Sequence, residues 1–372
     1  MQVRPLTEHN VVRPRKRLTV TVWLTGDPAS SMGRWFMARD KHSDRKADKK
    51  SKPDGPDPIR RRNSAQKSAK ATAKKGRGRQ PVGRTDVVEH MTVPQDSTGK
   101  ALSLPSGTVD LTAIKTGGTP VGPRNKREAA AMMAELAPEL AGLQERLVAE
   151  SIRGGRRRIL LILQGMDTSG KDGVVKHVLG LVNPAGVHLT SFKKPTAVER
   201  GHDFLWRIHN QVPLAGQIGV FNRSQYEDVL VVRVHDLVPK EVWSKRYAQI
   251  NAFERKLVRE GTVIVKCFLH ISKDTQRERL AARLDDPTKY WKYNPGDLVE
   301  RAFWVSYQEA YADALRRCNT VGAPWFVIPS DRKWYRNWAI ASLLLEALRE
   351  LDPQYPPADF DIDTERRLLA ES

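Results

Sequence analysis

The sequence has only two cysteines in 372 residues, Cys267 and Cys318. Neither stands in a CxxC pair or at a metal-ligand spacing, which argues against a cysteine zinc site and a dithiol redox centre, and a disulfide between them is the lesser alternative. Both lie in apolar surroundings and read as core-filling thiols of a reducing compartment. His177, His202, His209, His235 and His270 form no HxxxH or HExxH pattern, and no Ser-His-Asp signature is present, so neither a zinc hydrolase nor a serine hydrolase is indicated. No apolar run approaches the ~20 residues that span a bilayer. Residues 13–30 imitate a secretory leader, basic VRPRKR before LTVTVWLTG, but the apolar part is only about eight residues and is broken by threonine. The expectation is a cytoplasmic protein with no membrane partner.

Acidic residues are also scarce, 43 against 63 Lys and Arg, for a net charge of +20. Residues 1–120 hold 25 Lys and Arg against 11 Asp and Glu, so +14 lies there and only +6 in the remaining chain. KHSDRKADKKSKPDGPDPIRRR and KSAKATAKKGRGRQ have no hydrophobic period and cannot bury a core. Residues 1–104 are therefore expected to be a disordered basic extension. Such a tail attracts polyanions by counterion release, yet its composition is that of a solvated segment, so no dedicated nucleic-acid partner is expected. Met91 follows this tract and is a candidate natural start.

Order is expected from residue 105. SGTVDLTAIKTGGTPVGP reads as an extended arm, and Leu136, Leu140, Leu143 and Leu147 make one helical stripe. Pro138 kinks that helix or lies just inside its start. Then strand-like runs at 156–164, 187–192, 217–222, 262–271 and 324–329 alternate with helical segments. Such alternation is the pattern of an α/β protein with a parallel sheet and helices on both faces. The last helix carries Trp334, Trp338, Ala341, Leu345 and Leu348 on one face, as a core or subunit contact. The expected organisation is an arm and helix over 105–155, a core over 156–357, and a tail over 358–372.

Four constellations carry chemistry. GMDTSGKDG, residues 165–173, fits G-x-x-x-x-G-K between an apolar strand and a helix, the context a phosphate-binding P-loop requires. Gly165, Ser169, Gly170, Lys171 and Asp172 are the candidate phosphate ligands, through backbone N–H groups, a helix N-terminus and the lysine charge. Asp172 stands where Ser or Thr would meet Mg²⁺, which makes Asp167 a candidate metal ligand or base. GVFNRSQYEDV, 219–229, ends a strand beside that loop, where open parallel sheets place their sites. Arg223 would face phosphates. Asn222 occupies a place suited to a metal-binding carboxylate, so Glu227 or Asp228 would supply the charge, unless they only cap a helix. SFKKPT with GHDFLWRIH, 191–209, sets Lys193, Lys194 and Arg207 after another strand for an acceptor phosphate. Asp203 and Trp206 would reach a sugar or base, or Trp206 would pack in the core. In 274–297, Arg279 and Arg283 share a helix face. With Arg277, Lys289 and Lys292 they suit a lid, at about 274–300, that closes over phosphates; the plainer alternative is a solvated helix paired to Glu278, Asp285 and Asp286.

In this order the constellations resemble the family-2 polyphosphate kinases. The resemblance runs from about residue 105 to 357, through QGMDTSGKDG, NPAGV–SFKKPT, HDFLWRIH, FNRSQYEDVLVVRVH, FLHISKDTQRERLAARLDDPTKYWK and VIPSDRKWYRNWA. It implies a thymidylate-kinase-like P-loop core with a helical lid. It also implies phosphoryl transfer between inorganic polyphosphate and nucleoside mono- and diphosphates, Mg²⁺ (or Mn²⁺) as cofactor, and a homo-oligomer, dimer or tetramer. By the same resemblance Asp167 and Lys171 act in the Walker A loop, Arg223 contacts phosphates, and Arg277, Arg279 and Arg283 belong to the lid. Asn222, where other members carry Asp, resembles the branch that accepts both AMP and ADP. Two rival functions stay open at this point: an ATP-using kinase of the same fold, and a polyanion-binding protein that acts through its basic tail.

Overall fold

The computed structural model describes residues 97–105 and 107–372. Five strands form one parallel sheet: β1 Arg158–Gln164, β2 Val187–Ser191, β3 Ile218–Asn222, β4 Thr262–His270 and β5 Trp325–Pro329. Their order is β2-β3-β1-β4-β5, so β1, the strand that feeds the glycine-rich loop, lies at the centre. All five expected strands are present. The eight helices that matter below are α1 Ser97–Leu102, α2 Lys126–Ile152, α3 Lys171–His177, α4 Lys240–Arg259, α5 Lys273–Leu284, α6 Gly296–Ala302, α7 Trp304–Arg317 and α8 Lys333–Leu351.

Strand side chains alternate between the two faces of the sheet, and each face has its own core. Ile159, Leu161, Leu163, Val220, Val265, Cys267 and Leu269 pack under α2, α3 and α8. Leu160, Ile162, Phe221, Ile264, Phe268 and Trp325 pack under α4 and α7 on the other face. The two cysteines fall on opposite faces and both are free and buried. Burying strands on both sides requires the near-continuous apolar runs seen in the sequence.

α2 starts at Asn125, whose side chain accepts from the backbone N–H groups of Arg127 and Glu128. It runs through Pro138 rather than beginning there. A proline inside a helix removes one i→i−4 bond, and the burial of Leu136, Leu140, Leu143 and Leu147 offsets that loss. The face of α8 that includes Trp338, Ala341, Leu345 and Leu348 is core within this chain, packed against α2 and the sheet.

The basic extension expected over 1–104 lies outside the described residues as far as residue 96. Its last residues do not fit that expectation. α1 packs on α8, Leu102 is buried, and Ser103 bridges Phe326 at the edge of the sheet. A short helix with a partner surface orders even where composition is polar, because tertiary burial supplies what propensity lacks. The segment expected as a tail, 358–372, includes a capped helix, Ile362–Glu371, with no buried residue. Among the described residues no helix is long and apolar enough to cross a membrane.

Candidate active site

β1 and β3 are adjacent and in register, with Leu163 opposite Asn222. The loop after β1 and the turn after β3 therefore leave the sheet side by side at its carboxyl edge, the usual place for a site in this architecture. The backbone at both exits is unusual. Gly165 has φ 150° and Gly170 φ 105°, while Thr168 (φ 66°) and Arg223 (φ 64°) hold left-handed conformations that side chains other than glycine rarely adopt. Strained residues of this kind cluster at functional sites.

Lys171 opens α3 and is only 8% exposed. Its ammonium donates to the carbonyls of Gly165 (2.7 Å) and Met166 (3.3 Å), folding the loop around itself. Burial pushes the Lys171 pKa below the ordinary lysine value and Arg223 adds to this, against Asp167, Glu227 and Asp172. A bound phosphate would reverse that balance. Asp167 accepts from Arg223 at 2.7 Å. Removal from water works against the Asp167 charge, but Arg223, Lys171 and Arg283 outweigh it and hold its pKa below the usual value. Arg223 is held charged chiefly by Asp167, with Glu227 3.8 Å from its other terminal nitrogen.

The turn after β3 sends the two acids to different partners. Glu227 lies toward Arg223, and the Gln164 amide is satisfied when its nitrogen faces Glu227 at 3.1 Å. Asp228 points elsewhere, to Arg246 (3.1 Å) and Arg207 (3.9 Å). Asn222 donates to Asp172 at 2.9 Å, so the two departures from the usual P-loop kinase pattern meet each other.

The third constellation is more structural than its sequence suggests. Arg207 is buried, donates to the Lys193 carbonyl at 2.7 Å and lies over the Phe192 ring. Trp206 is 37% exposed and stacks on His202 with ring centroids 4.2 Å apart, so it is not core. Lys193 and Asp203 are exposed and Lys194 half-buried.

The expected lid segment folds as α5, a 3-10 turn Pro287–Lys292, and α6. Its arginines divide. Arg277 is exposed and pairs with Asp274 at 3.2 Å. Arg283 donates to the Lys292 carbonyl and to Asp297. Arg279, expected to reach the phosphate chain, instead donates to the carbonyls of Thr168, Ser169, Ser330 and Asp331. A guanidinium has five N–H donors and no acceptor, so carbonyls satisfy it as well as phosphates do.

Two residues carry signals that the sequence patterns did not flag. Asp297 sits on α6, 7% exposed, with a pKa raised to about 6 by burial and by Asp167 despite Arg283. Arg336 on α8 is buried against the glycine-rich loop. The side chains of Thr168 and Ser169 have buried hydroxyl oxygens without a partner among the described residues. Their place in the loop makes them natural contacts for a phosphate oxygen.

Magnesium binds through one or two carboxylates together with substrate phosphates and water. Asp167 and Glu227 flank Arg223 and supply that number. Among the described residues no group of three or more acids, histidines or cysteines is gathered for a metal. The donor set thus suits an ion that arrives with its phosphate ligand rather than a caged one.

Comparison with known proteins agrees with this geometry. The profile of the family described as Polyphosphate kinase 2 (PPK2) matches residues 124–356. An AMP/ADP-polyphosphate phosphotransferase of Meiothermus ruber is 50% identical over 252 residues, 68% of this chain and 93% of that protein. An ADP-polyphosphate phosphotransferase of Rhodopseudomonas palustris is 44% identical over 58% of this chain and 78% of that protein. The crystal structure of polyphosphate kinase 2 from Arthrobacter aurescens TC1 superposes with a TM-score of 0.73 at 50% identity, covering 75% of this chain and 98% of that one. A family match across the sheet, the glycine-rich loop and the arginine-bearing helices, with a relative matched over nearly its whole length, places the chain in the polyphosphate kinase 2 family.

Proposed function

We propose that this protein transfers phosphoryl groups between inorganic polyphosphate and nucleotides, converting AMP and ADP to ADP and ATP, reversibly and with Mg²⁺ or Mn²⁺. The observation that carries the reading is the convergence of Lys171, Asp167, Arg223 and Glu227 where β1 and β3 end. The names of the Meiothermus and Rhodopseudomonas relatives support the substrates.

In the forward direction an oxygen of the acceptor's terminal phosphate attacks the terminal phosphorus of polyphosphate. One P–O bond forms, the bridging P–O bond breaks, and the shortened chain leaves as the anion. Such a transfer needs positioning and charge neutralisation more than covalent help. The loop N–H groups, Ser169 and Lys171 hold the phosphates, with Asp172 at the head of α3. Arg223, pinned by Asp167, presents its charge to the transferred group. Asp167 and Glu227 would hold the divalent ion, which when bound neutralises phosphate oxygens. Lys193, Lys194, Asp203 and Trp206 form the acceptor side, with Arg207 positioning the segment. The lid over 274–300 closes on the phosphates, the assembly is a homo-oligomer, and the protein works in the cytoplasm.

The test is to incubate the protein with polyphosphate, Mg²⁺ and each nucleoside mono- and diphosphate, and to identify the products. ADP and ATP formed only with polyphosphate are expected. Product that appears with ATP but never with polyphosphate would establish an ATP-dependent kinase of the same fold instead. Removal of residues 1–96 should leave turnover intact, whereas a protein acting through its basic tail would lose its function.

A further inference from the structure

Arg336 is 2% exposed, yet among the described residues no carboxylate offsets its charge. Its Nη1 donates to the Ser169 carbonyl at 3.1 Å, and its Nε and Nη2 donate to Asn337 Oδ1. Burial, with Arg279 nearby, pushes its pKa down to about 10. A buried cation without an ionic partner is costly and is retained where something offsets it.

The Ser169 carbonyl also accepts from Arg279, at 3.3 Å. Two guanidiniums from two elements, α5 and α8, therefore grip one peptide of the glycine-rich loop. A trans peptide directs its N–H opposite its C=O. With the Ser169 carbonyl fixed toward the two arginines, the Gly170 N–H faces away from them, into the turn of the loop. The glycines record the same contact. A Cβ on Gly170 would lie 1.7 Å from Arg336 Nη1, and one on Gly173 would lie 2.6 Å from Nη2. At Gly170 the positive φ already favours glycine; at Gly173 it is the guanidinium that occupies the space a side chain would take.

We infer that Arg336 is a positioning residue of the phosphate site: with Arg279 it clamps the Ser169–Gly170 peptide so that its N–H is presented to a phosphate, and the bound polyanion is the counter-charge Arg336 lacks among the described residues. It touches no substrate itself. The inference rests on the polyphosphate reading, and separate readouts test the two.

Tripolyphosphate is the probe. Its Kd is measured by calorimetry for the full chain and for Arg336→Met, Arg336→Lys and Gly173→Ala, beside the melting temperature of each protein with and without the probe. Arg336→Met should weaken binding roughly 10- to 100-fold, the scale of a lost hydrogen bond to a charged group, and shrink the thermal shift that the probe produces. Arg336→Lys keeps the charge but not the planar fork, and should recover part of the affinity. Gly173→Ala keeps the arginine and places a better helix former in α3. It should nevertheless weaken binding, because the new methyl displaces the guanidinium; this variant decides the matter if Arg336→Met does not fold. Variants that melt lower but bind tripolyphosphate as the parent does would overturn the clamp and leave Arg336 a packing residue. Parent protein that binds the probe but turns over no polyphosphate would overturn the functional reading, and the affinities would still decide the clamp.

Discussion

Arg223 and Asp167 meet at 2.7 Å across the gap between the turn after β3 and the loop after β1. Arg223 sits in a left-handed backbone conformation to do so. The pair ties the two strand exits together and leaves Lys171, one turn away, with a buried charge that a phosphate can complete.

Asp167→Asn and Lys171→Ala should each lower kcat by at least ~100-fold, the scale of losing a charge-stabilising group in a preorganised site. Circular dichroism and melting temperature should show the fold retained. A variant that turns over near the parent rate removes that residue from the mechanism.

Arg277 and Arg279 should separate by salt. Arg277 is exposed, so Arg277→Ala should weaken use of polyphosphate modestly and the deficit should fade as salt screens surface charge. Arg279 binds four carbonyls of the loop and of residues 330–331. Arg279→Ala should cost kcat/KM roughly tenfold or more at low and high salt alike, without altering the preference between adenine and guanine acceptors. A deficit that disappears at high salt would mean that Arg279 meets the phosphate chain in solution.

Asp297 gives a pH signature. Its folded pKa of about 6 lies above the ordinary 3.8. Between those values the folded protein keeps a proton that the unfolded chain has released, so stability falls as pH rises through this window. Below it Asp297 contributes no difference, and above it the penalty is complete. Asp297→Asn does not titrate there. The variant's melting temperature relative to the parent should therefore rise from pH 4 to pH 6.5 and then level off. A difference that stays flat with pH contradicts the assignment.

Lys266 on β4 is wholly buried. It donates to Glu254 (2.6 Å), to Tyr226 Oη (3.0 Å) and to the Cys318 carbonyl (2.6 Å) beneath the turn that carries Glu227. Lys266→Met strands the Glu254 charge and should destabilise the fold by about 3–5 kcal/mol. Lys266→Met with Glu254→Leu should cost less than Lys266→Met alone, because neither charge is left unpaired. Urea denaturation of the parent, both single variants and the double variant measures this, and a double variant as unstable as the sum of its parts refutes the coupling.

Cys267 and Cys318 should resist thiol reagents in the native protein. Both are buried, and burial raises both thiol pKa values, that of Cys318 to about 12. Both should react in guanidinium. Native labelling of Cys267 at more than trace level would show that the sheet opens locally, and of Cys318 that the end of α7 does.

The sequence alone determined the five strands: β1, β3, β4 and β5 are apolar runs buried on both faces of the sheet, and the edge strand β2 is a shorter, half-exposed run after a turn. It also determined the glycine-rich loop and the charges of Lys171, Asp167 and Arg223, because a loop between a strand and a helix has few ways to hold phosphate. What a polar side chain does once folded was decided by tertiary structure. Glu227 and Asp228 are neighbours in sequence, yet one lies beside Arg223 and the other is taken by Arg246 and Arg207. Arg279 looked like a phosphate ligand and became a brace for loop carbonyls, since a guanidinium serves either partner and only proximity selects between them. Asp297 and Arg336 lie more than 120 residues beyond the loop and carry no local pattern. Their roles come from desolvation and from the charges the fold brings near them, which no spacing along the chain records.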